Sequence, residues 1–148
     1  MGEERQYHTY KIKSYVNASH AMRWEDGEGK EHNHTWEIVC EIHSLNDHMI
    51  IFNDLENTIK DILNSFAGKF LNTLPYFKDI NPTVENVTVW LFDLISPALR
   101  EEQAKLIRIE VSESPTGHTV YPFETTSKGV AYWPNYSDLE TDVCRVYF

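Results

Sequence analysis

Two long segments of alternating character flank one tight turn, and nothing else in the chain constrains the fold as strongly. Residues Tyr7 to Met22 and His32 to His43 read as strands. In the second, His34, Trp36, Ile38, Cys40 and Ile42 fall on one face, and Thr35, Glu37, Val39 and Glu41 on the other. That is the two-residue period of a strand with one buried face. Between the segments lies Arg23-Trp24-Glu25-Asp26-Gly27-Glu28-Gly29-Lys30, and its Asp26-Gly27 is a strong turn dipeptide. A hairpin centred on Asp26 is therefore expected. It sets His20 opposite His32, because both lie the same distance in sequence from Asp26.

His32 and His34 are two residues apart, so in a strand they point the same way, roughly 6.5–7 Å apart along the chain. With His20 across the hairpin, three imidazoles can converge on one ion. Three histidines and an open fourth position describe a catalytic rather than a structural zinc site. The competing reading is a chance His-x-His on an exposed strand. His8, His43, His48 and His118 have no comparable geometry and read as surface or hydrogen-bonded residues.

Downstream the period changes. Leu55, Ile59, Ile62, Leu63, Phe66 and Phe70 recur at three- and four-residue steps, which predicts a helix from Asn53 to about Leu71. Asn53 and Glu56 are placed as an N-cap and its capping-box partner. A second helix is expected after Pro82-Thr83, with Val84, Val87, Leu91 and Leu94 inward and Pro97 ending or kinking it. Leu106 to Ser114 alternates again, with Ile107, Ile109, Val111 and Glu113 on one face, and a short strand is expected around Thr119 to Phe123. This order gives an α+β fold, an antiparallel four-stranded sheet with two helices on one face. Residues 1–148 read as a single domain, with an atypical C-terminal extension from about 124.

Two acidic residues are candidates for chemistry. Glu113 shares an otherwise apolar face, which is costly for a carboxylate without a partner. It is either paired with a structural arginine or anchors a ligand, accepting two parallel hydrogen bonds from a guanine-type ring edge. Glu28, four residues before His32, could serve as a general base beside a metal. Glu25 and Glu31 compete with it, and a solvated acidic turn is the plainer reading of all three.

Composition narrows the partners. Thirteen Lys and Arg against 23 Asp and Glu give a net charge of −10, which argues against nucleic acid or an anionic membrane. Two cysteines, Cys40 and Cys144, are too few for a disulfide scaffold. The charged start, MGEERQYHTYKIK, reads as neither a signal peptide nor an anchor, so a soluble cytoplasmic protein is expected.

From about Tyr10 to Tyr121 the sequence resembles the 6-pyruvoyltetrahydropterin synthase and 6-carboxytetrahydropterin synthase family. The resemblance is carried by Ala18-Ser19-His20, His32-Asn33-His34, Asp54-Leu55, Leu71-Asn72, Pro82-Thr83-Val84-Glu85-Asn86, Glu113-Ser114 and Tyr121. It implies a tunnelling (T-) fold whose sheets join into a barrel in a homo-oligomer, a hexamer or trimer. It implies Zn2+ on His20, His32 and His34, a pterin held by Glu113 with Thr83 and Glu85 on the ligand side, and Glu28 as the catalytic group. The activity implied is that of a lyase acting on dihydroneopterin triphosphate or a related pterin, with a product that feeds queuosine synthesis in many bacteria.

The sequence departs from the family pattern at three places. Glu28 stands where the family usually has a catalytic cysteine, and Asn33 where it has a glycine. The family's Leu-Asp-His-x-x-Leu-Asn is matched by Phe66-Ala67-Gly68-Lys69-Phe70-Leu71-Asn72, without the Asp or the His. Two functions are therefore open: a zinc-dependent pterin lyase using Glu28, or a T-fold protein that binds a pterin or purine without turnover.

Overall fold

The fold is built on one hairpin. In the computed structural model, which describes residues 8–121, 124–125 and 131–132, strand β1 (Tyr10–His20) pairs antiparallel with strand β4 (His32–Ser44). His20 faces His32, as the symmetry about Asp26 predicts. Inside this hairpin, β2 (Arg23–Trp24) and β3 (Gly27–Glu28) form a smaller one. Gly27 sits at φ 134°, a conformation closed to side-chain-bearing residues. Strand β5 (Ala104–Ser112) pairs with the other edge of β4, giving the sheet order β1-β4-β5. Two helices, α1 (Phe52–Asn64) and α2 (Val84–Glu101), cover one face of that sheet. The short strands β6 (Glu124–Thr125) and β7 (Ala131–Tyr132) pair with each other. Most of the C-terminal extension lies outside the described residues. Among those described, no helix is long and apolar enough to cross a membrane.

The core is the face that alternation singled out. Trp36, Ile38, Cys40 and Ile42 are buried with Ile12, Val16 and Ala18 of β1. They meet Leu55, Ile59 and Leu63 of α1 and Val87, Leu91, Ile95 and Leu99 of α2. Burial pushes the Cys40 thiol up to about 12, so this cysteine fills space and is no nucleophile.

Several element limits differ from expectation. Among the described residues the fourth strand is one bridge, in which Val111 and Val120 exchange backbone hydrogen bonds of 2.8 and 2.7 Å, and residues 122–123 of the expected strand lie outside the described residues. Helix α1 ends at Asn64 rather than near Leu71. Beyond it, the Gly68 N–H bonds Asn17 O at 2.7 Å and Ser19 N–H bonds Lys69 O at 3.1 Å, so the chain docks on β1 instead of coiling further. Its N-cap is Ile51, without a side-chain bond, and Asn53 lies inside the helix. Phe52 packs edge-on against Tyr10 at 5.4 Å, which fixes this start.

Helix α2 runs through Pro97 to Glu101. Pro97 and Asp93 are exposed, so the carbonyl that loses its partner has solvent available. Leu94 is exposed too, and the stripe follows Val84, Val87, Leu91, Ile95 and Leu99. In β5, Arg108 pairs with Glu41 but Leu106 pairs with Ile42, so Ile107 is an extra residue. This bulge shifts the inward face from Ala104 and Leu106 to Ile109 and Val111. Glu113 lies just past the strand end, two residues on from Val111 and on the same side, where it meets His20 and His34.

Candidate metal centre

The last pair of the main hairpin and the next inward residue bring three imidazoles together. Ring centroids are 4.5 Å apart for His20 and His32, 5.0 Å for His20 and His34, and 4.7 Å for His32 and His34. One ligand nitrogen from each lies within 4.8 Å of the others. Trp36, two residues on along the same face, packs edge-on against His20 and His34 and donates its indole N–H to Ala18 O.

Hydrogen bonds set the tautomers. His20 Nδ1 lies 2.7 Å from Pro82 O, and since a carbonyl only accepts, this nitrogen carries the proton. His32 Nδ1 donates in the same way to Lys30 O at 3.1 Å. In His20, where burial favours the neutral ring, Nε2 is thereby left with its lone pair. Among the described residues, the Nε2 atoms of His20 and His34 are buried without a hydrogen-bond partner. Burial pulls the imidazoles of His20 and His34 below their ordinary 6.5, outweighing the Glu113 charge, which acts the other way. Neutral rings with orphaned, converging nitrogens fit a divalent transition metal of the zinc type.

Glu113 stands beside them, with Oε1 3.7 Å from His20 Nε2 and Oε2 3.8 Å from His34 Nε2. Among the described residues its ion-pair neighbours are thus imidazoles rather than a structural arginine. Its backbone is fixed by Ser112, whose buried hydroxyl reaches the carbonyls of Ser114 and His118 and accepts from Ser114 N–H.

The other sequence candidates are placed differently. The Glu28 carboxylate accepts from Arg23 Nε at 3.4 Å and Asn72 Nδ2 at 3.1 Å, at the hairpin mouth. Glu31 accepts from Ser19 Oγ at 2.9 Å, and Glu25 is exposed in the turn. Thr83 caps α2, its hydroxyl accepting from Asn86 N–H at 3.2 Å. Glu85 is half-buried in the first turn of α2, where a negative charge suits the helix dipole.

Sequence reasoning missed the residues that hold this arrangement. Arg23 donates to the carbonyls of Asn72, Phe77 and Ile80. Asn72 bonds both the N–H and the C=O of Ala21, and Asn81 does the same to Arg23. The Pro82 carbonyl that orients His20 had no signal, since any residue offers one. Asn72 had a weak signal as part of Leu71-Asn72.

A sequence model of the family described as 6-pyruvoyl tetrahydropterin synthase matches residues 9–124. The chain belongs to this family. Solved members of the synthase fold are similar in structure. The 6-pyruvoyl tetrahydropterin synthase of Caenorhabditis elegans has a TM-score of 0.64 at 17% identity, over 78% of this chain and 96% of that one. The Plasmodium falciparum synthase gives 0.61 at 15% identity, over 79% and 98%. A catalytic-residue variant of the Plasmodium vivax synthase, with glutamate replaced by alanine, gives 0.57 at 15% identity, over 79% and 98%. At these identities the likeness establishes the fold alone. A sequence search of curated proteins gives no match.

Proposed function

We propose that this member of the synthase family is a zinc-dependent lyase acting on dihydroneopterin triphosphate or a related pterin. One observation carries the reading: the ligand nitrogens of His20, His32 and His34 converge beside a carboxylate, and those of His20 and His34 are buried without a hydrogen-bond partner among the described residues. His20, His32 and His34 would hold Zn2+, and a zinc ion there supplies a Lewis acid for a side-chain oxygen of the ligand. Glu113 would accept the ring-edge N–H groups, with Thr83 and Glu85 on the ligand side. Glu28 would move the proton, leaving its bonds to Arg23 and Asn72 as the ligand enters. The Plasmodium vivax synthase has a glutamate as a catalytic residue, a precedent for that residue type. The same reading carries a cytoplasmic homo-oligomer, hexamer or trimer, joined through sheet edges into a barrel, and a product of use in queuosine synthesis. The outer edges of β1 and β5 carry only one isolated bridge each among the described residues, which supports assembly through them.

A second reading, ligand binding without turnover, is favoured by Gly68. It replaces the family's histidine and takes φ 74°, with its N–H spent on Asn17. No side chain from this position can take over acid–base work, and such groups typically contribute roughly 10²–10⁴-fold.

Mass spectrometry of zinc-loaded protein incubated with a panel of reduced pterins separates the two. The lyase reading expects triphosphate loss and a new pterin product, abolished in Glu28→Ala with the metal retained. Ring binding that is lost in Glu113→Ala, with no product from any pterin, would establish the second reading instead. Full activity in Glu28→Ala would remove that residue from the mechanism.

A further inference from the structure

Glu113 faces two demands that a single carboxylate cannot meet together. To hold a ring edge it must offer both oxygens to two parallel N–H groups. Yet its oxygens stand 3.7 Å from His20 Nε2 and 3.8 Å from His34 Nε2, turned to the same space those nitrogens address. In a tetrahedral shell with bonds of about 2.0–2.1 Å, neighbouring donor atoms lie about 3.4 Å apart. The Glu113 oxygens are within a few tenths of an ångström of that spacing. The backbone on either side is fixed, because Ser112 ties the turn to Ser114 and His118. Among the described residues these two buried Nε2 atoms lack a hydrogen-bond partner, and the Glu113 carboxylate faces both.

We infer that Glu113 is an exchangeable fourth ligand: it closes the three-histidine centre in the ligand-free protein and is withdrawn when a ring binds. The inference rests on the function proposed above and adds a gate to it. Before the ring arrives, the carboxylate denies the fourth position to water. Once its oxygens turn to the ring edge, that position is free for an oxygen of the ligand's side chain. Ring recognition and opening of the metal are then one event.

Cobalt(II) in place of zinc makes the shell visible through its ligand-field absorption, with no turnover required. The spectrum of the ligand-free wild-type protein should differ from those of Glu113→Gln and Glu113→Asp. Glu113→Asp keeps the charge but shortens the reach, so it distinguishes ligation from a charge effect and stands in should Glu113→Gln fold poorly. Adding a 6-unsubstituted pterin, a ring with no side-chain oxygen, should move the wild-type spectrum onto that of Glu113→Gln. The variants should also bind cobalt about tenfold or more weakly, the size usual for loss of an interaction at a metal centre. Identical ligand-free spectra in wild type and both variants would overturn the inference. So would a wild-type spectrum that a bound ring, followed by its fluorescence, leaves unchanged. Failure of wild-type protein to take up cobalt, or to bind the ring at all, would instead remove the proposed function, and the gate with it.

Discussion

Asn72 and Asn81 act on the hairpin as substitutes for a missing strand. Each amide bonds the N–H and the C=O of one residue, Ala21 and Arg23, two apart on the same strand side. They hold the segment that leaves His20, so the metal centre depends on residues that never reach it. Asn72→Ala would leave the buried polar groups of Ala21 unpaired and should cost about 3 kcal/mol, read as a lower urea midpoint at unchanged slope. Gly68 is a separate case, because nothing lies within 4 Å of where its Cβ would stand, so only its backbone opposes substitution. At φ 74°, Gly68→Ala should cost about 1 kcal/mol and Gly68→Asn less, since Asn tolerates this region. Equal costs for the two, from paired denaturation curves, would mean that strain at this position is not the cause.

At the scale of elements, α2 delivers the carbonyl that orients His20. Thr83 caps the helix directly after Pro82, and Asn86 donates to Asn81 O at 2.9 Å. Thr83→Ala should lower stability by about 1 kcal/mol, the usual worth of a cap. A much larger loss of pterin affinity than of stability would mark Thr83 as a ligand contact as well. The hairpin register could be read from the sequence because one turn signal and one alternating face specify it together. It places the three histidines side by side. Glu113 follows Ile109 and Val111 at strand period, as counted, but Ile107 does not share their register, because a bulge there is invisible to a counted period. The end of α1 was overshot for a related reason: Phe66 continues the stripe, but its packing is kept by a turn that Gly68 and Lys69 dock on β1. The Arg23 bonds to three carbonyls had no local pattern at all, since they join segments about fifty residues apart.

For the whole molecule, the buried imidazoles couple metal, pH and stability. Burial holds His20 and His34 below 6.5 in the folded chain, while the unfolded chain takes up those protons near 6.5. Between the folded and unfolded values the unfolded state binds more protons, so stability rises with pH through that window. Chelator-treated protein should have its full stability above 6.5 and lose it as the pH falls toward the folded values. Urea midpoints across this range should fall less steeply for His34→Gln than for wild type, and equal slopes would count against burial as the cause. Zinc at a thousandfold excess over its dissociation constant should add about 4 kcal/mol, seen as a rise in Tm that is lost in His32→Ala.

The most direct test is X-ray absorption at the zinc edge on protein purified with zinc and freed of loosely bound metal. The expected result is one zinc per chain with three imidazole nitrogens at about 2.0–2.1 Å, and no such shell in His20→Ala. Zinc far below one per chain, or a shell of oxygens without imidazole scattering, would contradict the assignment of His20, His32 and His34 as a metal centre.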